Sequence, residues 1–332
     1  MSDFSPRTAF SPGHITGFFQ IRNHENPHIK GSVGAGLVLN KGIHSTVTPF
    51  QMSGDIAGDT VRDTERDTVR DAEIYLNGVA AVNSHDSTNA VLTVVSELSR
   101  IAEKRYNTSF RFKIQENGSL PVGSGFGLSA AGALSTAFAI NSSLSLGLSK
   151  DELIEIAHYA EVINGSGLGD VAGEAAGGLA VREIPGGPMH GKFYSIPLSE
   201  SEKQKKIYCL VLGELSTKEV ITNEDQSRKI NQAGASALQN FLKNSSLDSF
   251  MDESLKFTKN IGLLSPEAEK VIDSIDAADG KAAQAMLGNT VFAIPSDREN
   301  AGEYISELMQ KFGDVYECKI ETNGPRVCLS AF

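Results

Sequence analysis

The sequence predicts an α+β fold in two domains, on three observations. Strand-like and helix-like stretches are mixed without the βαβ regularity of a parallel sheet. A Pro185-Gly-Gly-Pro188 break separates halves of different grain, which sets the domains at residues 1–185 and 186–332. At 332 residues the chain is long enough for two domains or one large one, with ample core.

Composition narrows the class. Apolar residues make up 40% and charged residues 21%, ordinary values for a soluble globular protein. A net charge of −11 argues against a nucleic-acid surface, which needs clustered Lys and Arg. Cys209, Cys318 and Cys328 show no metal-ligand spacing, so a reducing, cytoplasmic setting is expected. A Cys318–Cys328 contact across a terminal hairpin is an option the sequence does not favour. Residues 1–20 show no secretory signal. Residues 117–149 carry no charge, yet their glycines and serines and Asn141 suit a buried helix better than a membrane span.

The elements follow in order. Residues 7–21 read as two short strands divided by Ser11-Pro-Gly13, with His14 opening the second. Residues 37–40 and 43–48 read as a hairpin around Lys41-Gly42, and Gly34 and Gly36 point to a close approach or a bulge. An Asp-Thr-x-Arg pattern recurs within residues 53–72, too short for a repeat architecture, and reads as an exposed insertion. A strand is expected at 73–78. Val91, Val94, Val95, Leu98 and Ile101 stripe a helix over 87–104. Phe110, Phe112 and Ile114 alternate along a strand at 108–115. Helices are expected at 128–146 and 150–163, and a strand at 179–184. The second half offers strands at 207–212 and 290–294, a helix start at 216–219, and helices near 222–243, 247–259, 266–275, 280–288 and 297–311. It closes on a hairpin of 315–320 with 326–329.

Chemistry concentrates in two glycine-rich stretches. Pro121-Val-Gly-Ser-Gly-Phe-Gly-Leu-Ser-Ala-Ala-Gly132 places Gly123, Gly125 and Gly127 just before helix-forming residues. Unpaired N–H groups and the positive end of the helix dipole favour an anion there, which makes a phosphate loop. The alternative is a glycine-rich turn ahead of a core helix. No Gly-Lys is followed by Ser or Thr, so the loop is not a P-loop, and the partial dinucleotide pattern sits too far from its strand. The second stretch, Asn164-Gly-Ser-Gly-Leu-Gly-Asp170, follows the helix that carries Glu161 and precedes the strand that carries Arg182. Phosphoryl transfer needs donors around the phosphates, oxygen ligands for Mg²⁺, and a carboxylate near the attacking hydroxyl. Ser129, Glu161 and Asp170 could supply these, although Glu161 could be a plain helix acid and Asp170 a helix cap.

The first stretch resembles the second motif of the galactokinase–homoserine kinase–mevalonate kinase–phosphomevalonate kinase (GHMP) superfamily. Within it, Ser11-Pro-Gly-His-Ile-Thr-Gly-Phe-Phe19, Gly125-Phe-Gly-Leu-Ser-Ala-Ala-Gly132, Gly167-Leu-Gly-Asp-Val-Ala172 and Gly288-Asn-Thr-Val-Phe-Ala293 are similar to the archaeal pantoate kinase family. The resemblance runs from about residue 7 to the C-terminus. It implies an N-terminal domain like ribosomal protein S5 domain 2 and a C-terminal ferredoxin-like α/β sandwich. The implied reaction is ATP with (R)-pantoate giving ADP and 4-phosphopantoate, in coenzyme A synthesis. It implies that Pro121, Gly123, Ser124, Gly125, Gly127, Leu128 and Ser129 form the nucleotide loop, and that Ser129 and Glu161 hold Mg²⁺. Asp170 would face the acceptor hydroxyl, as base or orienting group, while His14, Arg182 and, less strongly, Ser32 would hold the pantoate carboxylate. Two departures stand out. Leu128 replaces the first loop serine of the superfamily, and the third motif survives only as Asn323-Gly-Pro-Arg326. Two other functions compete, a GHMP-type kinase for a mevalonate- or homoserine-like alcohol and a non-catalytic metabolite-binding relative. The expected partner is a small molecule, with no nucleic acid or membrane, and a homodimer is left open.

Overall fold

The structure is a computed structural model that describes residues 4–52, 72–81, 86–213, 224–286 and 288–328. The expected insertion at 53–72 and the helix start at 216–219 lie almost wholly outside the described residues. Two sheets organise the rest. The first is built on two long antiparallel strands, β1 (Arg7–Arg22) and β2 (Gly31–Gln51). Beside them lie β3 (Ala72–Leu76), β4 (Val79–Ala80) and β5 (Phe110–Gly118), in the order β12-β1-β2-β5-β3-β4, with β12 (Arg326–Val327) at one edge. β6 (Leu179–Ile184) pairs with the other end of β2, and β7 (Lys192–Ile196) pairs with β6.

The two Gly-containing turn signals near the N-terminus make no turns. Pro12 pairs with Gly42 and Gly13 with Leu39 across a single β1–β2 ladder, so the signals face each other as one shared bulge. A proline lacks the ladder donor and glycine permits close backbone approach, which suits both to a bulge inside a strand. The reversal between the two strands falls instead at residues 23–30.

Helices α1 (Asp86–Tyr106) and α2 (Leu128–Leu144) pack on this sheet, and α3 (Lys150–Asn164) packs on both of them. α1 contributes Val91, Val94, Val95 and Leu98 to the core, against Phe110, Phe112 and Ile114 of β5. α2 is buried on nearly all sides, which explains its lack of charge. Among the described residues no helix is long and apolar enough to cross a membrane. A capping box of Ser149 with Glu152 starts α3, and Gly165 in the left-handed region ends it. The short α4 (Asp170–Ala176) follows.

The second sheet joins β8 (Lys206–Gly213), β9 (Lys281–Gln284), β10 (Asn289–Ile294) and β11 (Val315–Lys319) in the order β11-β8-β10-β9, every pair antiparallel. In chain order that is 4-1-3-2, with helices between the first and second and between the third and fourth strands. This is the ferredoxin-like arrangement. A single-turn α5 (Glu200–Lys203) leads into it. The helices between its strands are α6 (Glu224–Lys243), α7 (Leu247–Ile261), α8 (Pro266–Asp276) and α9 (Ala301–Gln310). Residues 280–288 were expected to be helical, and the structure places β9 there. Ala282 and Ala283 are good helix formers, but pairing with β10 and burial under α7 override that preference. The expected terminal hairpin is also absent. β11 pairs with β8 and β12 with β1, so the chain crosses back to the first sheet between them. Cys318 accordingly neighbours Cys209, not Cys328, and all three cysteines are free.

A shared aromatic core joins the sheets. Phe18 and Phe19 of β1 meet Phe241 of α6, Phe250 and Phe257 of α7, and Phe292 of β10 lies against Phe250.

One buried acid in this scaffold makes a stability prediction. Glu116 lies beneath α2, where Ser45 Oγ donates to its Oε1 at 3.4 Å. Burial raises its pKa from 4.5 to about 7, against the opposing hydroxyls of Ser45 and Thr136. Between those values the folded state binds the proton and the unfolded state does not, so stability falls as pH rises through this window and is level above it. Glu116→Gln is therefore expected to melt a few degrees above the parent at pH 8 and alongside it near pH 4.5. Equal shifts at both pH values in a thermal melt would contradict the assignment.

Candidate active site

The loop between β5 and α2 has the geometry of an anion site. Gly123, Gly125 and Gly127 all take left-handed backbone, with φ of 78°, 85° and 66°. Gly127 caps α2 without a side-chain hydrogen bond and no acid lies in the helix's first turn, so no side chain there competes for the opening N–H groups. Pro121 and Gly125 are half-buried, Gly123 is exposed, and Ser124 is turned inward. The loop is fastened from the second sheet: Thr290 Oγ1 donates to the Ser124 carbonyl at 2.7 Å. Gly288 lies so close that a Cβ there would come within 2.3 Å of the same carbonyl oxygen. Leu128 is buried in the core with Ile15 and Phe126. It anchors the helix start, and Ser129 is the hydroxyl that reaches the site.

Ser129 Oγ donates to Glu161 Oε1, and Ser166 Oγ donates to the same oxygen at 2.7 Å. Glu161 is 3% exposed. Burial pushes its pKa up to about 7, against the two hydroxyls, with the charge of Asp170 adding to the rise. A carboxylate and two hydroxyls are hard oxygen donors of the kind Mg²⁺ takes. Among the described residues no three His, Cys, Asp or Glu side chains form a metal cage of their own.

The other half of the site is a chain of polar groups across three elements. His14 of β1 is fully buried, and its Nδ1 lies 2.8 Å from Asp170 Oδ1. On the other side, Arg182 Nη1 of β6 is 3.4 Å from His14 Nε2. A guanidinium can only donate, so Nε2 accepts and the ring proton sits on Nδ1, donated to Asp170. Burial lowers the pKa of His14, with the interaction with Asp170 opposing and the charge of Arg182 assisting, and the ring is neutral. Burial also works against the charge of Asp170, but the bond from His14, the charge of Arg182 and the hydroxyl of Thr16 hold its pKa below the ordinary value. Thr16 Oγ1 donates to Asp170 Oδ1 at 3.3 Å, and Oδ2 makes none of these bonds.

Arg182 is 1% exposed, and among the described residues its Nε has no hydrogen-bond partner. Ser32 Oγ and that Nε converge on Gly169, where an added Cβ would lie 2.2 and 2.6 Å from them. Gly173 plays the same part for His14, since a Cβ there would lie 2.5 Å from Nε2. The glycines of the second stretch let the start of α4 sit directly on these side chains. A short C-terminal segment closes this region: Gly178 N donates to the Glu321 carbonyl at 2.8 Å, and Gly324 rests on the backbone of Glu174 and Ala175.

The fold thus gathers Ser129, Glu161, Asp170, His14, Arg182 and Ser32 around the glycine loop. It adds four residues that the sequence reading passed over. Thr16 follows His14 by two on a strand, so both share a face. Ser166 lies inside the second glycine stretch. Glu174 is one helical turn after Asp170. His158 stands one turn before Glu161 and donates from Nε2 to the Lys30 carbonyl at 3.0 Å, just ahead of Ser32. These spacings were available signals, but only contact across elements gave them meaning.

The model of the GHMP kinases N terminal domain matches residues 89–178, which span both glycine stretches. A pantoate kinase of Methanospirillum hungatei is 30% identical over 333 residues, covering 96% of each chain. One from Methanocaldococcus jannaschii is 31% identical, covering 90% of this chain and 96% of that one. The chain belongs to the pantoate kinase family. As a pantoate kinase relative within the GHMP kinases it is a small-molecule kinase, and ATP is its expected phosphoryl donor. Among solved structures, a phosphotransferase related to the CoA biosynthesis pathway matches with a TM-score of 0.80 at 28% identity, over 97% of this chain and 98% of that one. A homoserine kinase from Cytophaga hutchinsonii shares the fold, with a TM-score of 0.66 at 18% identity over 99% and 98% of the two chains.

Proposed function

We propose that this protein transfers the terminal phosphoryl group of ATP to the 4-hydroxyl of (R)-pantoate, giving ADP and 4-phosphopantoate for coenzyme A synthesis. The observation that carries this is the Arg182–His14–Asp170 chain beside the glycine loop. It sets a carboxylate-binding guanidinium and an ionised carboxylate on the same side of a phosphate site. Pantoate has the matching ends, a carboxylate and a hydroxyl to be phosphorylated.

The loop's N–H groups and the α2 dipole take the phosphates. Ser129 and Glu161 would hold Mg²⁺, which when bound neutralises charge on the phosphates. Arg182 Nε, unpaired and buried, takes the pantoate carboxylate together with Ser32 Oγ. His14 has both ring nitrogens engaged, so it serves the carboxylate indirectly, by fixing Arg182 on one side and Asp170 on the other. Asp170 Oδ2 receives the 4-hydroxyl. The lowered pKa of Asp170 keeps it ionised throughout the neutral range. It orients the hydroxyl first and accepts the proton as bonding to phosphorus develops. In this reading residues 1–185, with 53–72 as an insertion, carry nucleotide and substrate. Residues 186–332 close over them, apart from β7 and β12, which return to the first sheet.

The test is ADP release by the purified protein with ATP, Mg²⁺ and a panel of pantoate, mevalonate and homoserine. Turnover with pantoate well above the others is expected. Preference for another alcohol, or ligand binding without any phosphorylated product, would overturn the assignment.

A further inference from the structure

One acid at the site has no part in the chemistry above. Glu174 is fully buried on α4, four residues after Asp170 and so on the same helical face. Ser11 Oγ of β1 donates to its Oε2 at 3.0 Å, and Ser11 is itself fully buried. Among the described residues its Oε1 has no hydrogen-bond partner. That oxygen lies against the turn that starts α2: a Cβ on Gly127 would come within 2.8 Å of it. Gly127 therefore has two reasons to be glycine, its left-handed backbone and the carboxyl that fills the space of a side chain. On its other side, the backbone of Glu174 is covered by Gly324 of the C-terminal segment.

We propose that Glu174, clamped by Ser11 under the Gly127 turn, is a positioning residue that braces the phosphate loop and does so as an uncharged carboxylic acid. The charge state follows from its neighbours. Asp170 takes the bond from His14 and the charge of Arg182. Among the described residues no Lys, Arg or His forms an ion pair with Glu174. A buried carboxylate without a cation, beside an ionised aspartate, is expensive, and protonation relieves the cost. Burial raises its pKa well above the ordinary value, and the charges of Asp170 and Glu161 raise it further against the hydroxyl of Ser11. An uncharged brace also suits its place, since a third negative charge here would oppose the phosphates that the loop receives.

The proposal rests on the loop being the ATP site, and the experiment separates the two ideas. Binding of ATP with Mg²⁺ is measured by calorimetry, and steady-state kinetics with ATP and pantoate are taken from pH 6 to 8.5. The parent binds ATP; if it does not, the loop assignment falls and this proposal with it. Glu174→Gln, an uncharged isostere, keeps ATP affinity and kcat within about threefold and leaves the pH profile unmoved. Glu174→Ala weakens ATP binding roughly tenfold or more, while KM for pantoate stays within about threefold. Ser11→Ala shifts the same constant in the same direction by less, and serves if the alanine variant at 174 melts too low to assay. A large loss in Glu174→Gln, or a moved pH profile, would show that the charged form is needed and overturn the proposal. Parent-like ATP binding in Glu174→Ala, or in Ser11→Ala where that variant stands in, would overturn the bracing role.

Discussion

Asp170→Asn is expected to lower kcat by roughly 10²–10⁴-fold, the range for losing a positioned acid–base group. The amide keeps the shape of the side chain and can still accept from His14 Nδ1 and Thr16 Oγ1, which bond Oδ1 in the parent. It cannot carry the charge that, in the proposed mechanism, orients the acceptor hydroxyl, nor take its proton. The glycine loop, Ser129 and Glu161 are untouched, so ATP affinity in calorimetry should stay near that of the parent. Because Asp170 is held below its ordinary pKa, an acid limb in the parent's activity near neutrality belongs to another group. A variant that retained kcat within about threefold would remove Asp170 from the reaction.

Arg182→Ala should act on the other substrate end. It deletes the donor to His14 Nε2 and the Nε, unpaired among the described residues, that we propose takes the pantoate carboxylate. Truncating one partner of a buried charge pair costs about 2–5 kcal/mol, so kcat/KM for pantoate should fall roughly 30- to 5,000-fold. Most of that should appear as a raised KM for pantoate, with KM for ATP nearly unchanged. Arg182→Lys should recover little, because one ammonium cannot serve both the imidazole and a carboxylate as a planar guanidinium does. Thermal melts are needed alongside, since the residue is 1% exposed and its charge acts on Asp170. An unchanged KM for pantoate in a folded variant would show that the carboxylate binds elsewhere.

Leu128 illustrates how much the sequence could and could not say. Its position in the motif suggested a missing hydroxyl near the phosphates. Its burial in the core cluster that also holds Ile15 and Phe126 gives the side chain a packing role at the start of α2, which the motif alone did not indicate. His14 is a second example. The sequence placed it beside the site as a carboxylate ligand. The contacts on its two nitrogens tie it to Asp170 and Arg182, residues 156 and 168 positions away. The bulge at Pro12 and Gly42 is a third: each dipeptide alone signals a turn, and only their pairing turns them into one bulge within two long strands.

By itself the sequence determined the α+β class, most helix positions, both glycine stretches and the candidate side chains that cluster there. Those features are local, since periodicity, glycine spacing and helix starts are written in consecutive residues. Tertiary structure alone decided that 281–284 is a strand, that β12 returns to β1, and that Thr290 ties the second sheet to the loop. It also decided protonation, because the charges of Glu161, Asp170 and Glu174 depend on burial and on partners far away in the chain. The glycine loop could be found from its residues, but the balance of charge around it depends on distances that no single stretch contains.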